Sequence, residues 1–199
     1  EDNTIIIDVF LSQLNAERES SQFEVNDQYN VYCNNGEVCR YVINLDDNKV
    51  TKKGIANIVG STIDFRTIGK DYNGVKYNYS FICSHDMETK TCSLYKIDMN
   101  KSEVADKFAT LDTDHYWFRD PEFISRRDAV SEDDGYIFMW VYHIDIVKEV
   151  GLPNGKTELY IFNALNLSVG PQYVIDVTML CGANKPLPYG LHSYLAVLN

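Results

Sequence analysis

The sequence predicts an all-β fold made of β-propeller blades, chiefly because it contains an internal repeat. Residues 40–50, 94–104 and 159–169 each hold a tyrosine-containing strand, a turn with Asn or Asp, and the start of a new strand. Repeats of about 50 residues that contain several short strands are typical of propeller blades. An ordinary β-sandwich is the alternative, although its strands have no reason to repeat a turn sequence.

Strand patterns continue between the repeats. Residues 74–82 alternate with period two, and residues 136–142 are continuously apolar, as a strand buried on both faces would be. Residues 173–180 predict another strand. Residues 12–19 favour a short helix, and residues 151–156 favour an exposed hairpin turn.

Three or four blades do not close a ring, because the smallest common propellers have about four blades and most have more. No linker or low-complexity stretch divides the chain. We therefore expect the chain to supply part of one larger propeller.

The charge balance argues against several classes of partner. The chain has 18 basic and 29 acidic residues and a net charge of −11, whereas nucleic acids and anionic membranes require basic surfaces. No run of about 18 apolar residues is present to form a transmembrane helix. Residues 1–10 lack the features of a signal peptide and predict a strand, as expected of a processed or partial chain.

Five cysteines leave the redox state open. Cys33 with Cys39, and Cys83 with Cys92, flank two polar loops, and we expect each pair to lie on neighbouring strands with Cys181 buried and free. Disulfides would indicate an oxidising compartment, whereas free thiols fit a cytoplasmic protein. The spacings match no common zinc motif. The location stays open, with the cytoplasm favoured over secretion.

Several motifs occur in a fixed order along nearly the whole chain. They include a Pro-Leu-Pro-Tyr-Gly-Leu-His-Ser run and a Ser-Glu-Asp-Asp-Gly turn. Together they resemble the carotenoid cleavage oxygenase family, in particular its C-terminal part. The segments that carry the resemblance are residues 1–9, 63–68, 72–79, 119–124, 131–135 and 186–193.

The resemblance implies a seven-bladed propeller in which four histidines from inner strands hold a ferrous iron on the axis. A cap over one face forms an apolar tunnel for a carotenoid or apocarotenoid. Neutral imidazoles suit Fe(II) and leave positions open for oxygen or substrate. Only His192 matches one of the four ligand motifs, and the other three ligands would precede residue 1.

The remaining histidines, His85, His115 and His143, match no family ligand. We expect them at the surface or at strand ends. We also expect residues 1–199 to be the C-terminal portion of one carotenoid-oxygenase-like propeller domain. Its remaining N-terminal blades would come from a separate or preceding chain.

Two acidic residues depart from the family pattern. In the family, glutamates accept the second ring N–H of iron-bound histidines, and losing such partners commonly costs about 10–100-fold in metal affinity or activity. The matching residues are Asp64 and Asp120, each one methylene shorter. Leu191 and Ser193 replace the usual Phe and Gly beside the iron ligand. Either the aspartates fail to reach the rings, or a shifted backbone lets them do the same work.

Aromatic residues cluster near the family motifs. Trp117, Phe118, Phe123 and Tyr189 are the candidate carotenoid-binding residues, because aromatic walls suit a flat conjugated polyene. The alternative is that these residues simply fill the propeller core.

The sequence thus favours a carotenoid-binding protein that holds an intact pigment and no longer cleaves it. The alternative is an Fe(II)-dependent carotenoid cleavage dioxygenase or retinoid isomerase, so enzymatic activity stays open. A propeller scaffold for protein partners is a third interpretation. The sequence does not specify the carotenoid or the oligomeric state.

Overall fold

The computed structural model describes residues 3–14, 33–59, 62–86, 89–111, 116–144 and 153–178. These residues form three antiparallel sheets. The first contains β1 (Thr4–Leu14), β2 (Cys33–Asn44) and β3 (Lys49–Val59). The second contains β4 (Thr62–Thr67), β5 (Tyr79–Asp86), β6 (Thr91–Asp98) and β7 (Glu103–Leu111). The third contains β8 (Tyr116–Ser125), β9 (Gly135–Ile144), β10 (Pro153–Asn163) and β11 (Tyr173–Asp176).

Each sheet is a meander in which every strand pairs with the next strand along the chain. The three sequence repeats fall on β2, β6 and β10, so β1, β2 and β3 correspond to the second, third and fourth strands of the other sheets. The only helices among the described residues are short 3₁₀ turns at Lys70–Tyr72 and Leu167–Val169. The all-β prediction is therefore confirmed, and no described helix is long and apolar enough to cross a membrane.

The repeated turn has one physical basis. The Oδ1 atoms of Asn44, Asp98 and Asn163 each accept a hydrogen bond from the backbone N–H two residues later, at 2.8, 3.0 and 3.0 Å. Such a bond lets a short polar side chain stabilise a turn directly after a strand. Asn48 and Ser102 then take positive φ angles of 56° and 61° at matching positions of the first two turns.

The repeat also places three tyrosines at matching positions. Tyr41, Tyr95 and Tyr160 lie on β2, β6 and β10, one strand away from the outer strand of each sheet. The third repeat then differs, because its turn continues into the Leu167–Val169 helix before β11 begins. The prediction of equivalent hairpins therefore holds closely for the first two repeats and loosely for the third.

Several local predictions need correction. Residues 12–14 belong to β1, where Ser12 pairs with Gly36, so strand pairing overrides the weak helical pattern. β5 begins at Tyr79, and the first residues of the predicted 74–82 strand form a turn. Residues 153–156 belong to β10. Residues 15–19, 151–152 and 179–180 lie outside the described residues.

β5 and β6 of the second sheet are buried on both faces, and side-chain alternation divides their residues between two cores. Phe81, Cys83 and Leu94 join a core with the third sheet, whereas Ile82 and Ile97 join a core with the first sheet. All five are at most 1% exposed. Burying a large apolar side chain stabilises a fold by about 1.5–3 kcal/mol, so these two cores bind the sheets into one unit.

Polar side chains add specific contacts between neighbouring sheets. The Glu132 carboxylate accepts hydrogen bonds from the backbone N–H groups of Asn78 and Tyr79, at 2.7 and 2.9 Å. The loop before β9 is thereby fixed to the start of β5. The side-chain amide of Asn78 also donates to the Glu132 carboxylate, at 2.5 Å.

A buried lysine links the same two sheets. The Lys96 ammonium donates to Asp133 at 2.5 Å and to the carbonyl of Ala164 at 3.0 Å, and it lies 4.6 Å from the centre of the Tyr79 ring. Burial alone would raise the pKa of the Asp133 carboxyl, but hydrogen bonds from Lys96 and Ser131 outweigh it, so this pKa lies below its ordinary value. The Asp133 carboxylate therefore stays ionised at neutral pH.

The first and second sheets are joined by a buried carboxylate. Arg40 donates to both oxygens of Asp8, at 2.8 and 3.0 Å, and the Tyr77 hydroxyl donates to the same carboxylate. The Asp8 side chain is only 2% exposed. A bidentate arginine and a phenol compensate for the cost of burying that charge.

Neither cysteine pair is placed to form a disulfide, although Cys83 and Cys92 do lie on neighbouring strands as predicted. Cys33 and Cys39 lie on the same strand, β2, about 20 Å apart at the rise of an extended chain. Cys83 pairs with Leu94 and Cys92 with His85, so the second pair is out of register by two residues. Cys39, Cys83 and Cys92 are buried and form no disulfide, and burial raises the pKa of the Cys39 thiol. Cys181 lies outside the described residues.

The Glu132 contact should contribute measurably to stability. We expect Glu132→Gln to destabilise the chain by about 1–3 kcal/mol, because the new amide group replaces an acceptor that faces N–H donors. Glu103→Gln is the matched control, since Glu103 is exposed and its nearest cation is 3.9 Å away. Urea unfolding measures both, and equal stability losses in the two variants would contradict the assignment.

The free thiols give a second prediction. Cys39, Cys83 and Cys92 should resist alkylation in the folded chain and react fully after unfolding without reductant, because they are buried and unbridged. Peptide mass spectrometry reads each site separately. A disulfide involving any of the three would contradict the structure.

Candidate functional site

The two aspartates predicted to face the site lie on the first strands of successive sheets. Asp64 is in β4 and Asp120 is in β8, and these two strands contact each other. Contact between the first strands identifies this side of the sheets as the inner side of the propeller. The outer strands β7 and β11 lie at the opposite end of the strand order.

Both inner strands are bulged at the aspartate. β4 has one extra residue between Asp64 and Arg66, opposite consecutive residues of β5. β8 has one extra residue in the Asp120–Pro121 segment, between the pairs that Arg119 and Glu122 make with β9. A bulge bends its strand and redirects a side chain, and bulges are frequent next to active sites. The two departures from the family pattern therefore coincide with two local irregularities of the backbone.

The second sheet supplies side chains to the free edge of β8. The His85 Nε2 atom accepts a hydrogen bond from the backbone N–H of Phe118 at 2.9 Å. The Thr67 hydroxyl oxygen accepts one from the backbone N–H of Phe123 at 3.2 Å. The Cys83 thiol lies 3.8 Å from the Phe118 carbonyl oxygen. These contacts fix β8 on both sides of its bulge.

The candidate aromatic residues have different surroundings. Phe118 and Phe123 are 1% and 2% exposed and belong to the core between the second and third sheets. Phe123 stacks on Phe81 with ring centres 5.4 Å apart. Trp117 lies on β8 opposite Tyr142, and Tyr189 is outside the described residues. Phe118 and Phe123 thus pack the core, and a ligand-binding role for the four residues stays a prediction.

Both described histidines lie near strand ends, as expected. His85 is next to the last residue of β5, but it is fully buried and not at the surface, because its ring bonds the backbone of the next sheet. His143 lies near the end of β9, as expected, and its Nε2 is 2.7 Å from Glu158. His115 and His192 lie outside the described residues.

Glu158 stays ionised despite its burial. Burial alone would raise its pKa, but hydrogen bonds from Lys156 and His143 outweigh this effect and leave the pKa below its ordinary value. Its carboxylate oxygens are 2.7 Å from each partner. This cluster lies on β9 and β10 and includes no side chain from the aspartate-bearing strands.

The family resemblance implies an iron site of four histidines, and the described residues do not provide it. Within the described ranges, no group of three or more His, Cys, Asp or Glu residues is arranged to hold a metal ion. Of the two described histidines, His85 accepts a backbone N–H and His143 contacts Glu158. These residues alone therefore do not fit the iron, and we derive no reaction step through it.

One cavity among the described residues has a polar lining. It has a volume of about 550 Å³ and lies between the loop before β5 and the loop before β9. Its lining includes Asp71, Arg126, Arg127 and Glu132. Such a lining does not suit a polyene, so this cavity is not the apolar tunnel that the family resemblance implies.

Sequence reasoning missed the contacts between sheets. Nothing in the sequence pairs Thr67 with Phe123 or His85 with Phe118, because those partners are 56 and 33 residues apart. The Ser-Glu-Asp-Asp-Gly turn was the available signal for Glu132 and Asp133. Its glycine is also required by packing, since a Cβ at Gly135 would lie 2.2 Å from the Ile124 carbonyl oxygen.

Comparison with solved structures shows the same fold. A glutamate-to-glutamine mutant of the apocarotenoid oxygenase (ACO) of Synechocystis is 19% identical to the chain with a TM-score of 0.68. A chimera of ACO and RPE65 is 20% identical with a TM-score of 0.67, and cobalt-substituted Synechocystis ACO is 19% identical with a TM-score of 0.65. Each match covers 96% of this chain but only 36% of the other protein.

Comparison of sequences identifies the family. No curated protein matches the chain significantly. The model of the family described as "Retinal pigment epithelial membrane protein" matches residues 1–194. This match covers nearly the whole chain, and the solved structures above confirm the propeller-type fold of carotenoid oxygenases. The chain therefore belongs to the retinal pigment epithelial membrane protein family, the carotenoid cleavage oxygenases that its motifs resemble.

Proposed function

We propose that this chain is part of a carotenoid-binding protein that holds an intact carotenoid or apocarotenoid in an apolar tunnel. The observation that carries the proposal is the pair Asp64 and Asp120. Both lie on neighbouring inner strands, both lie at bulges, and both stand where the family has glutamate. A shorter carboxylate at both positions weakens the orientation of iron-bound imidazoles, and weak iron binding leaves the polyene uncleaved.

The proposal includes the missing part of the propeller. Residues 1–199 form the C-terminal portion of one propeller domain, and the remaining N-terminal blades complete both the ring and the tunnel. The first sheet supports this, because it has three described strands where the other two have four. Within the whole domain, Trp117 and Tyr189 contribute aromatic surface near the pigment, whereas Phe118 and Phe123 support that surface from the core between the second and third sheets.

An Fe(II)-dependent cleavage dioxygenase or retinoid isomerase is the second candidate. His192 favours it, since this residue lies in the family's C-terminal ligand motif. In this case the bulges of β4 and β8 would compensate for the shorter aspartates by bringing their carboxylates closer to the histidine rings. His192 would then bind the iron together with three histidines from the preceding blades, and the iron would supply oxygen or Lewis-acid chemistry.

Spectroscopy of the complete protein separates the two candidates. We expect the purified protein to carry a strong visible absorption band from bound, intact carotenoid and to contain little iron by elemental analysis. Incubation with β-carotene or an apocarotenal under air should yield no cleavage products by chromatography. Stoichiometric iron together with polyene cleavage would make the enzyme interpretation correct.

Lengthening both carboxylates tests the reason for the proposal. The double variant Asp64→Glu, Asp120→Glu of the complete protein should bind Fe(II) about 10–100-fold more tightly than the unmodified protein, because the longer side chains reach the imidazoles. Asp71→Glu is a matched control on an exposed loop and should leave iron affinity unchanged. No gain in the double variant would show that carboxylate length is not what limits iron binding.

A further inference from the structure

We propose that Thr67 and His85 are positioning residues that set the direction of Asp120. Each accepts a hydrogen bond from the backbone of β8, one on either side of the Asp120–Pro121 bulge. This inference rests on the proposed function, in which Asp120 faces the ligand site.

The end strand of a sheet presents backbone groups that need partners from elsewhere. β8 is such a strand, since among the described residues it pairs only with β9. Its bulge removes further support, because the register with β9 is interrupted between Arg119 and Glu122 and Pro121 has no N–H. The backbone around Asp120 therefore depends on contacts made at the free edge.

Two side chains of the second sheet provide those contacts. His85 is 0% exposed, and its Nε2 must carry a lone pair to accept the Phe118 N–H, which places the proton of a neutral ring on Nδ1. Thr67 is 8% exposed and bonds the Phe123 N–H, three residues beyond Asp120. A buried N–H that loses its acceptor is costly, so the β8 backbone is held where both bonds form.

Thr67 also couples the two aspartate-bearing strands directly. It is the last residue of β4, the strand that carries Asp64. Its hydroxyl oxygen accepts a hydrogen bond from the strand that carries Asp120. The stack of Phe123 on Phe81 fixes the same point of β8 against β5. The relative placement of the two carboxylates thus depends on a bond between a hydroxyl and a backbone N–H.

Three variants of the complete protein test the bonds themselves. Thr67→Val keeps the side-chain shape and removes the acceptor, Thr67→Ser keeps the hydroxyl, and His85→Leu removes the imidazole. Amide hydrogen exchange across residues 118–123 should quicken about tenfold in Thr67→Val and His85→Leu and less than twofold in Thr67→Ser. Thr157→Val is the matched control, because Thr157 is fully buried and its Oγ1 has no hydrogen-bond partner among the described residues.

A double-mutant cycle tests whether the effect passes through Asp120. In complete protein loaded with β-carotene, Thr67→Val should shift the pigment absorption maximum and weaken binding about tenfold, whereas Thr67→Ser should restore both. In an Asp120→Asn background the same Thr67→Val change should leave the absorption maximum unchanged and alter the affinity less than twofold. It should still lower stability in urea. A merely structural role would lower stability equally in both backgrounds without a spectral shift that depends on Asp120.

The outcomes separate this inference from the proposed function. Unchanged exchange at residues 118–123 in Thr67→Val and His85→Leu overturns the positioning role, whatever the protein binds. A spectral shift of equal size in both backgrounds also overturns it. Unmodified complete protein that binds no carotenoid overturns the proposed function, and the exchange data then still decide whether the two side chains hold the bulge.

Discussion

Packing between successive sheets is the constraint on which the rest of this structure depends. The middle strands of the second sheet, β5 and β6, are covered on both faces: Phe81 and Leu94 on one face meet the third sheet, and Ile82 and Ile97 on the other meet the first. No single blade could bury these side chains alone.

This packing also explains where the polar contacts lie. Lys96 points into the interface between the second and third sheets, on the same face as Phe81, and it is stable there because Asp133, a carbonyl oxygen and an aromatic ring surround its ammonium. Asp8 has the same role between the first and second sheets. Both are ion pairs whose contribution to stability depends on their geometry, since an unpaired buried charge would cost several kcal/mol. They specify how one blade is placed on the next.

The sequence predicted the repeating part of the fold well and the contacts between repeats poorly. The turns could be predicted from the sequence because each depends on a residue and its neighbour two positions later, as at Asn44, Asp98 and Asn163. The burial of His85 could not be predicted from the sequence. A strand between two polar turns has the same sequence pattern whether its outer surface meets water or another sheet. The prediction that the cysteine pairs could form disulfides failed for a related reason. A loop length suggests a hairpin, but register decides which residues are opposite, and β5 and β6 place Cys83 and Cys92 two residues out of step.

At the candidate site, too, the local features were predicted from the sequence and the contacts between sheets were not. Asp64 and Asp120 were found from local motifs, and the structure adds that a bulge lies at each of them. The partners that hold β8 could not be found from sequence, because they come from another blade. Residue type at the site is thus a local property, whereas its geometry depends on the whole propeller.

One consequence concerns the first strand. β1 is an end strand among the described residues, and Ile5, Ile6 and Ile7 are 46%, 50% and 43% exposed. An apolar end strand without a lysine or proline is a template for pairing with strands of other molecules. In solution without a neighbouring strand, these 199 residues would self-associate through β1, and a short strand peptide supplied in trans would compete with that aggregation. The exposed edge of β1 is therefore the part of the described fold most prone to aggregation.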